Sequence, residues 1–454
     1  MRRVFHNSET ARPSKSSKRV SVPSLPSSCV ETPPRIAFCT DTFEEANGVA
    51  TVSRAFVAFA KSHRLPFLLI RPGPKSRVFT EGSVTIVEVA KSAFCLPLDM
   101  GLRFDLIVFR HANWLREQMN AFHPDIVHIT GPGDLGMVCA RLSHTLRVPK
   151  PPLVAAWHTN VHQYARMRAS GLLSLLPKAV AGALGAQIEA ISFQLAARFY
   201  KTARLILAPN QDILDQLTRQ TGKPGRIMLH GVDAELFTPA HKAPGAKLTL
   251  GYAGRLTQEK NVRFLAELSD ALPVEVREKV RFLIVGDGSQ RAWLEQRLPA
   301  STFFTGMLNG EALAEAYRQM DVFLFPSLSD TFGLVVLEAM ASGVPVVSFQ
   351  VCGPKSVVDD GINGFAASTT LAFVDGVKRL VLEDELRQRL GAEARACGVS
   401  HSWQAVFASV YEAYETLLPG ASVPPAGRVP AVSSLVAAAW IGAKIIERLT
   451  VKEW

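Results

Sequence analysis

The chain is poor in cysteine, and its six cysteines (Cys29, Cys39, Cys95, Cys139, Cys352 and Cys397) are scattered with no Cys-x-x-Cys spacing. That argues against a zinc module and a disulfide scaffold and suits a reducing compartment. No run of 18 clean apolar residues occurs, so no transmembrane helix is expected. Met1-Arg2-Arg3 leads into Ser, Lys and Pro rather than an apolar stretch, so no signal peptide is expected either. No Gly-x-Gly-x-x-Gly follows the first expected strand, which argues against a dinucleotide-binding dehydrogenase. What is present is enough apolar sequence for real cores: 48% hydrophobic and 20% charged residues over 454 positions exclude a wholly disordered or fibrous chain.

Charge is unevenly placed. Of the net +10, residues 1–34 carry +4, 35–240 carry +8, 241–418 carry −4 and 419–454 carry +2. A cationic first half suggests an anionic partner, such as membrane lipid, nucleic acid or a phosphorylated substrate. A solvated basic surface explains the same numbers equally well. No recognised nucleic-acid module accompanies the charge, so no nucleic-acid partner is expected.

Residues 1–34, rich in Ser, Pro, Lys and Arg, read as a flexible basic tail. From Arg35 onward, short apolar strands alternate with helical patterns. Strands are expected at 35–40, 67–70, 84–89, 126–129, 153–157 and 205–208. The alternation restarts with strands at 247–252, 281–285, 303–304, 322–325 and 345–348 and helices at 261–272, 289–298, 310–319 and 334–342. Pro239, Pro244 and Gly245 punctuate the join. The expected architecture is α/β: two doubly wound, Rossmann-like parallel sheets covered on both faces, at 35–240 and 241–400. A helix returns at 401–418, and 419–454 is a tail with a candidate amphipathic helix.

Ligands of open parallel sheets bind beyond the carboxyl ends of the strands. After strand 247–252 come Gly254, Arg255 and, five residues on, Lys260 near a helix start. A bare backbone, a planar guanidinium and an ammonium can hold a diphosphate, although such cations in a loop are more often solvated. Gly286-Asp287-Gly288 after strand 281–285 is a weaker signal of the same kind. The strongest stretch runs from Phe325 to Pro345. Asp330 lies at the helix start and Glu338 two turns on, so both carboxylates are expected on one helix face toward one ligand. A carboxylate among Leu337, Ala339 and Met340 needs a partner, and sugar or ribose hydroxyls suit it. The amides of Phe332, Gly333 and Leu334 are open at a helix N-terminus. The structural alternative makes Asp330 a helix cap and Glu338 half of a salt bridge.

This stretch resembles the acidic–seven residues–acidic signature of retaining glycosyltransferases of family 4, which have the GT-B fold. Asp330 stands where Glu is usual, in an Asp-Thr-Phe-Gly form similar to that of GDP-mannose-dependent α-mannosyltransferases. The resemblance covers residues 35–418 and extends to Gly254-Arg255-Leu256, Glu259-Lys260-Asn261, Val285 to Gly288, and Phe304-Thr305-Gly306. It also takes in the Asp41 to Thr51 glycine loop, Trp157-His158-Thr159-Asn160 with Gln163-Tyr164, and Gly231-Val232-Asp233 to Phe237.

The resemblance implies roles for these residues. Arg255 and Lys260 neutralise the leaving diphosphate. Glu338 holds the ribose, and Asp330 with the amides from Thr331 to Leu334 orients the sugar. His158 lies beside the reacting centre. Gly48, Gly254 and Gly286 let backbone approach the donor. The implied reaction is transfer of a hexose from a nucleotide diphosphate sugar to a hydroxyl of a lipid-linked or glycan acceptor. It proceeds with retention and without a protein nucleophile. GDP-mannose is the first-choice donor and a UDP-hexose the alternative. A catalytically inactive sugar-nucleotide-binding protein is the rival from another class. No Asp-x-Asp triplet occurs, so neither a metal nor another cofactor is expected. The expected location is cytoplasmic, peripheral at an anionic membrane surface. Arg166, Arg168, Lys178, Arg198, Lys201 and Arg204 among Leu172, Leu173, Leu175, Leu176 and Phe199 suggest that attachment, with 435–454 a second candidate.

Overall fold

A computed structural model describes residues 33–45, 47–99, 102–147, 149–158, 177–240, 247–328, 330, 332–350 and 353–418, together with Arg166, Ala169 and Leu173. Thr159, Asn160, Gln163, Tyr164, Thr331, most of both tails and much of the linker 238–245 lie outside the described residues.

The first sheet is built from β1 (Ile36–Cys39), β2 (Phe67–Gly73), β3 (Arg77–Glu81), β4 (Val84–Ala90), β7 (Ile126–Ile129), β8 (Leu153–Ala156), β9 (Leu205–Ala208) and β10 (Gly225–Ile227). A separate hairpin, β5 (Cys95–Asp99) and β6 (Leu102–Asp105), stands between β4 and β7. Strand order is β10-β9-β8-β7-β1-β2-β4-β3, parallel except at the β3 edge, which runs antiparallel to β4. The inner strands are apolar runs buried on both faces, as a covered parallel sheet requires. Strand β3 was not expected because Arg77-Val78-Phe79-Thr80-Glu81 is largely exposed and carries no apolar run. The wholly parallel sheet of the sequence reading is corrected at that edge.

Helices α1 (Gly48–Ser62), α2 (Ala112–Phe122), α3 (Asp134–Ser143), α4 (Lys178–Tyr200) and α5 (Gln211–Thr221) cover this sheet. The Asn47 side chain caps α1 by accepting from the Ala50 amide at 2.9 Å, and Asn210 caps α5 in the same way at 3.0 Å. Gly222, in the left-handed region at φ 67°, stops α5.

The second sheet comprises β11 (Leu248–Ala253), β12 (Val280–Val285), β13 (Phe303–Gly306), β14 (Val322–Phe325), β15 (Val346–Phe349) and β16 (Gly364–Ala367). Their order is β13-β12-β11-β14-β15-β16, all parallel. Helices α6 (Phe264–Ala271), α7 (Val274–Arg277), α8 (Arg291–Arg297), α9 (Gly310–Arg318), α10 (Leu334–Ala341), α11 (Thr370–Leu382) and α12 (Asp384–Ser400) flank it. Helix α6 begins three residues later than expected, because Gln258–Lys260 form a 3-10 turn that Asn261 ends at φ 52°.

Helix α13 (Trp403–Glu415) packs back on the first domain. Phe407 stacks on Phe56 of α1 with centroids 4.4 Å apart, and Tyr414 Oη lies 2.5 Å from His128 Nδ1 in β7. The chain thus crosses between domains twice. The crossings are paired, because the Val232 amide donates to the His401 carbonyl at 2.8 Å.

Each sheet reverses direction of growth once, between β1 and β7 in the first and between β11 and β14 in the second. Those switch points open a crevice beyond the carboxyl ends of the strands.

One helix bears on the expectation that no segment spans a membrane. Within α4, Ala179–Tyr200 has a mean hydropathy of 1.2 over its 18-residue window and is long and apolar enough to cross a membrane by length and composition. Its many Ala residues raise the mean hydropathy with little side-chain bulk, and Glu189 interrupts the apolar run. Only 17% of that window is buried. Phe193, Ala196, Ala197 and Tyr200 enter the first core, whereas Val180, Leu184 and Ile191 are exposed.

Candidate active site

In the second domain, the loop after β11 lies against the loop after β12. A Cβ on Gly286 (φ 136°) would fall 1.9 Å from the Gly254 carbonyl oxygen. The close approach and the positive φ both demand glycine there. Gly254 itself has φ 147°, and the Tyr252 hydroxyl donates to the Arg255 carbonyl at 2.9 Å, fixing the turn that presents Arg255. Arg255 Nη2 lies 3.6 Å from Glu259 Oε1.

Lys260 Nζ lies 2.5 Å from Asp330 Oδ1, linking the loop after β11 to the loop after β14. Asn261 reinforces the link by donating to the Pro326 carbonyl at 3.0 Å. Burial pushes the Asp330 carboxyl upward, but the Lys260 ammonium, with help from Arg255, outweighs it and holds the group below its ordinary value. Asp330 Oδ2 is buried and makes no hydrogen bond; the Ser327 hydroxyl is near enough to help lower the carboxyl without meeting hydrogen-bond geometry.

The structure corrects how the two carboxylates converge. Helix α10 starts at Leu334 with Gly333 (φ 86°) at its N-cap, so Asp330 precedes the helix and does not share a face with Glu338. Lys260 positions it, and Asp330 makes no cap. Glu338 does sit on α10. Its partner is the Tyr317 hydroxyl of α9, donating to Oε2 at 2.8 Å, rather than a cation. Burial raises the Glu338 carboxyl to about 7 despite that hydrogen bond.

The first domain contributes from the carboxyl ends of β1 and β8. Gly48 opens α1, and a Cβ there would lie 3.4 Å from Leu334 Cδ1, so the glycine loop meets the α10 N-terminus across the cleft. His158 follows β8; burial lowers its imidazole to about 4, making it a neutral group at physiological pH. Gly48, Gly254, Gly286, Arg255, Lys260, Asp330, Phe332, Gly333, Leu334 and His158 thus lie on loops or helix starts beyond strand ends, with Glu338 about one turn into α10.

Three features escaped sequence reasoning. Gly131-Pro132-Gly133-Asp134-Leu135-Gly136 is a Gly-x-Gly-x-x-Gly that follows β7 rather than the first strand and opens α3. Its amides are occupied from within: Asp41 Oδ1 accepts from Leu135 at 2.9 Å and Gly136 at 3.2 Å. A Cβ on Gly133 would sit 2.1 Å from Asp41 Cγ, so the motif wraps a carboxyl and leaves no cradle for a dinucleotide phosphate. Burial, together with the neighbouring Asp134, raises Asp41 to about 8. Tyr317, the partner of Glu338, had no spacing to betray it. The third is His230, which follows β10 on the segment leaving the first domain; its ring lies 5.7 Å from that of His158 and 4.6 Å from that of Phe332.

Two Rossmann-like domains with a doubled crossing, and a cation–carboxylate pair at one switch point opposite a glycine loop at the other, define a glycosyltransferase of the GT-B class. The model of "Glycosyltransferase Family 4" matches residues 46–236, and that of "Glycosyl transferases group 1" matches residues 233–396. The chain is 30% identical over 315 residues to a GDP-mannose-dependent alpha-mannosyltransferase of Mycolicibacterium smegmatis, covering 66% of this chain and 76% of the relative. It is 27% identical over 403 residues to a protein of the same name from Corynebacterium glutamicum, covering 85% and 90% of the two chains. Sucrose-phosphate synthase from Thermosynechococcus elongatus shares the fold with a TM-score of 0.62 at 16% identity, covering 84% of this chain and 99% of that one. The chain belongs to glycosyltransferase family 4, and it uses a nucleotide-sugar donor.

Proposed function

We propose that this enzyme transfers a mannosyl group from GDP-mannose to a hydroxyl of a lipid-linked or glycan acceptor, with retention of configuration. The observation that carries the reading is the Lys260–Asp330 pair, flanked by Arg255 and backed by Glu338 on α10, facing the Gly48 loop and His158. The choice of mannose is supported by the similarity to GDP-mannose-dependent relatives.

Glu338 accepts the ribose hydroxyls, and donor binding holds it ionised. Arg255 and Lys260 lie against the diphosphate, and Asp330 takes sugar hydroxyls on the oxygen that Lys260 leaves open. As the bond from the anomeric carbon to the diphosphate breaks, the sugar gains oxocarbenium character and the diphosphate gains charge. Fixed cations and the amides at the α10 start oppose that charge without reorganising. The acceptor oxygen attacks the same face, and its proton passes to the departing phosphate oxygen. Neutral His158 contributes as a hydrogen-bonding group. No metal or other cofactor enters this scheme.

The acceptor is read as membrane-borne at the inner face of the cell membrane, because the first domain carries net +8 and α4 leaves Val180, Leu184 and Ile191 exposed. The deciding experiment is a thermal-shift panel of GDP-, UDP- and ADP-sugars, followed by product analysis with the stabilising donor. GDP-mannose should raise the melting temperature most. Stabilisation by a UDP-hexose alone overturns the donor choice. Sedimentation with anionic vesicles at low salt tests the surface; recovery in the supernatant points to a soluble acceptor.

A further inference from the structure

The connection from the first domain to the second does more than join them. Met228 continues β10, its amide donating to the Ala208 carbonyl at 2.8 Å. Three residues on, the chain is pinned: a Cβ on Gly231 would fall 2.7 Å from the Trp403 backbone nitrogen, and Val232 is hydrogen-bonded to His401. His230, between these anchors, has no freedom to swing away. It is 95% buried, yet its Nδ1 has no hydrogen-bond partner. A buried nitrogen left unpaired costs stability, and such a group in a cleft calls for a ligand atom.

Its surroundings say where that atom comes from. The ring lies 4.6 Å from Phe332, on the loop between Asp330 and α10, and 5.7 Å from His158 at the end of β8. His230 is thus a first-domain group seated against the sugar-orienting loop of the second domain. Burial drives its imidazole well below the ordinary histidine value, with His158 adding to the shift, so the ring is neutral and offers one donor and one acceptor.

We propose that His230 contacts the transferred hexose through Nδ1, hydrogen-bonding one of its hydroxyls and so sensing the sugar rather than the nucleotide. The inference rests on the donor-site reading above and adds a discriminating residue to it. A side chain on the interdomain crossing that binds the sugar also ties donor occupancy to the closed arrangement of the domains.

The test compares GDP with GDP-mannose by calorimetry on the full chain. His230→Phe keeps a ring against Phe332 and removes both nitrogens. GDP affinity should stay within about twofold, whereas GDP-mannose affinity should fall about tenfold, the usual weight of one buried hydrogen bond. His230→Asn, which restores a polar atom near the Nδ1 position, should recover most of the loss. Equal weakening of both ligands, or weakening of neither, overturns the proposal. So does a variant that binds GDP-mannose normally but has a raised KM for acceptor. Should His230→Phe fail to fold, the Asn variant alone decides: GDP-mannose binding must then exceed GDP binding by the wild-type ratio within about threefold. Failure of the wild type to bind GDP-mannose or UDP-glucose would strike the donor reading itself, a result distinct from these.

Discussion

Replacing Lys260 with Met gives the sharpest view of how the site is held. At an effective dielectric of about 20, unit charges 2.5 Å apart attract by roughly 6–7 kcal/mol before desolvation is counted. Taking both groups out of water consumes most of that. Removing one partner of a fully buried pair typically costs about 3–5 kcal/mol, and of an exposed pair less than about 1. The Lys260 and Asp330 side chains are 18% and 17% exposed, so a cost of about 2–3 kcal/mol is expected near neutral pH. For a domain of this size that lowers the melting temperature by about 4–12 °C. The pH dependence follows from the sign of the Asp330 shift. In the wild type the carboxyl is depressed by Lys260, so the pair stabilises above the ordinary carboxylate range, and that contribution is lost as pH falls through the folded value. In Lys260→Met burial dominates and raises the carboxyl, so the deficit should be large at pH 7 and shrink toward pH 4. Asp330→Asn added to Lys260→Met should restore part of the stability, giving a coupling measurable in a double-mutant cycle, but should not restore turnover. Melting like the wild type at pH 7, with no rescue in the double variant, would refute the argument.

Glu338 titrates in the opposite sense: its carboxyl is raised to about 7, so ionisation costs stability as pH rises from the ordinary glutamate range through that value. Glu338→Gln should flatten the loss of melting temperature between pH 5 and 8 while raising the donor KM; an unchanged pH profile would contradict the burial argument. Arg255→Ala should cut turnover by about 10²–10³-fold with little change in stability, the usual cost of losing one donor to developing charge, and chelator should leave wild-type rates intact in the same assay. Tyr414→Phe strands His128 Nδ1 in the first core and should cost about 1–3 kcal/mol in chemical denaturation without altering donor affinity. Gly286→Ala sets a methyl 1.9 Å from the Gly254 carbonyl, so donor binding should collapse before the fold does, read by parallel calorimetry and circular dichroism.

Much was legible in the chain because it is set by local chemistry. Short apolar runs at 36–39, 126–129 and 322–325 can only be inner strands of covered parallel sheets, and the loops after them mark the cleft. Gly254, Arg255, Lys260 and Glu338 were singled out as candidates from residue type and position beyond a strand end. Only the fold could supply pairings between distant segments. The eight-residue spacing of Asp330 and Glu338 suggested a shared helix face, yet α10 starts after Asp330, and the partner that orients it, Lys260, is 70 positions away. The Gly131 to Gly136 motif went unread in the sequence, and the fold shows its amides taken by Asp41, some 90 residues earlier. His230 carries no signal of its own in the sequence. It becomes a candidate because two chain crossings pin it between domains, with a buried nitrogen unsatisfied. Periodicity and composition report what a residue needs from its immediate neighbours; which distant group meets that need is decided by the packing of the two sheets.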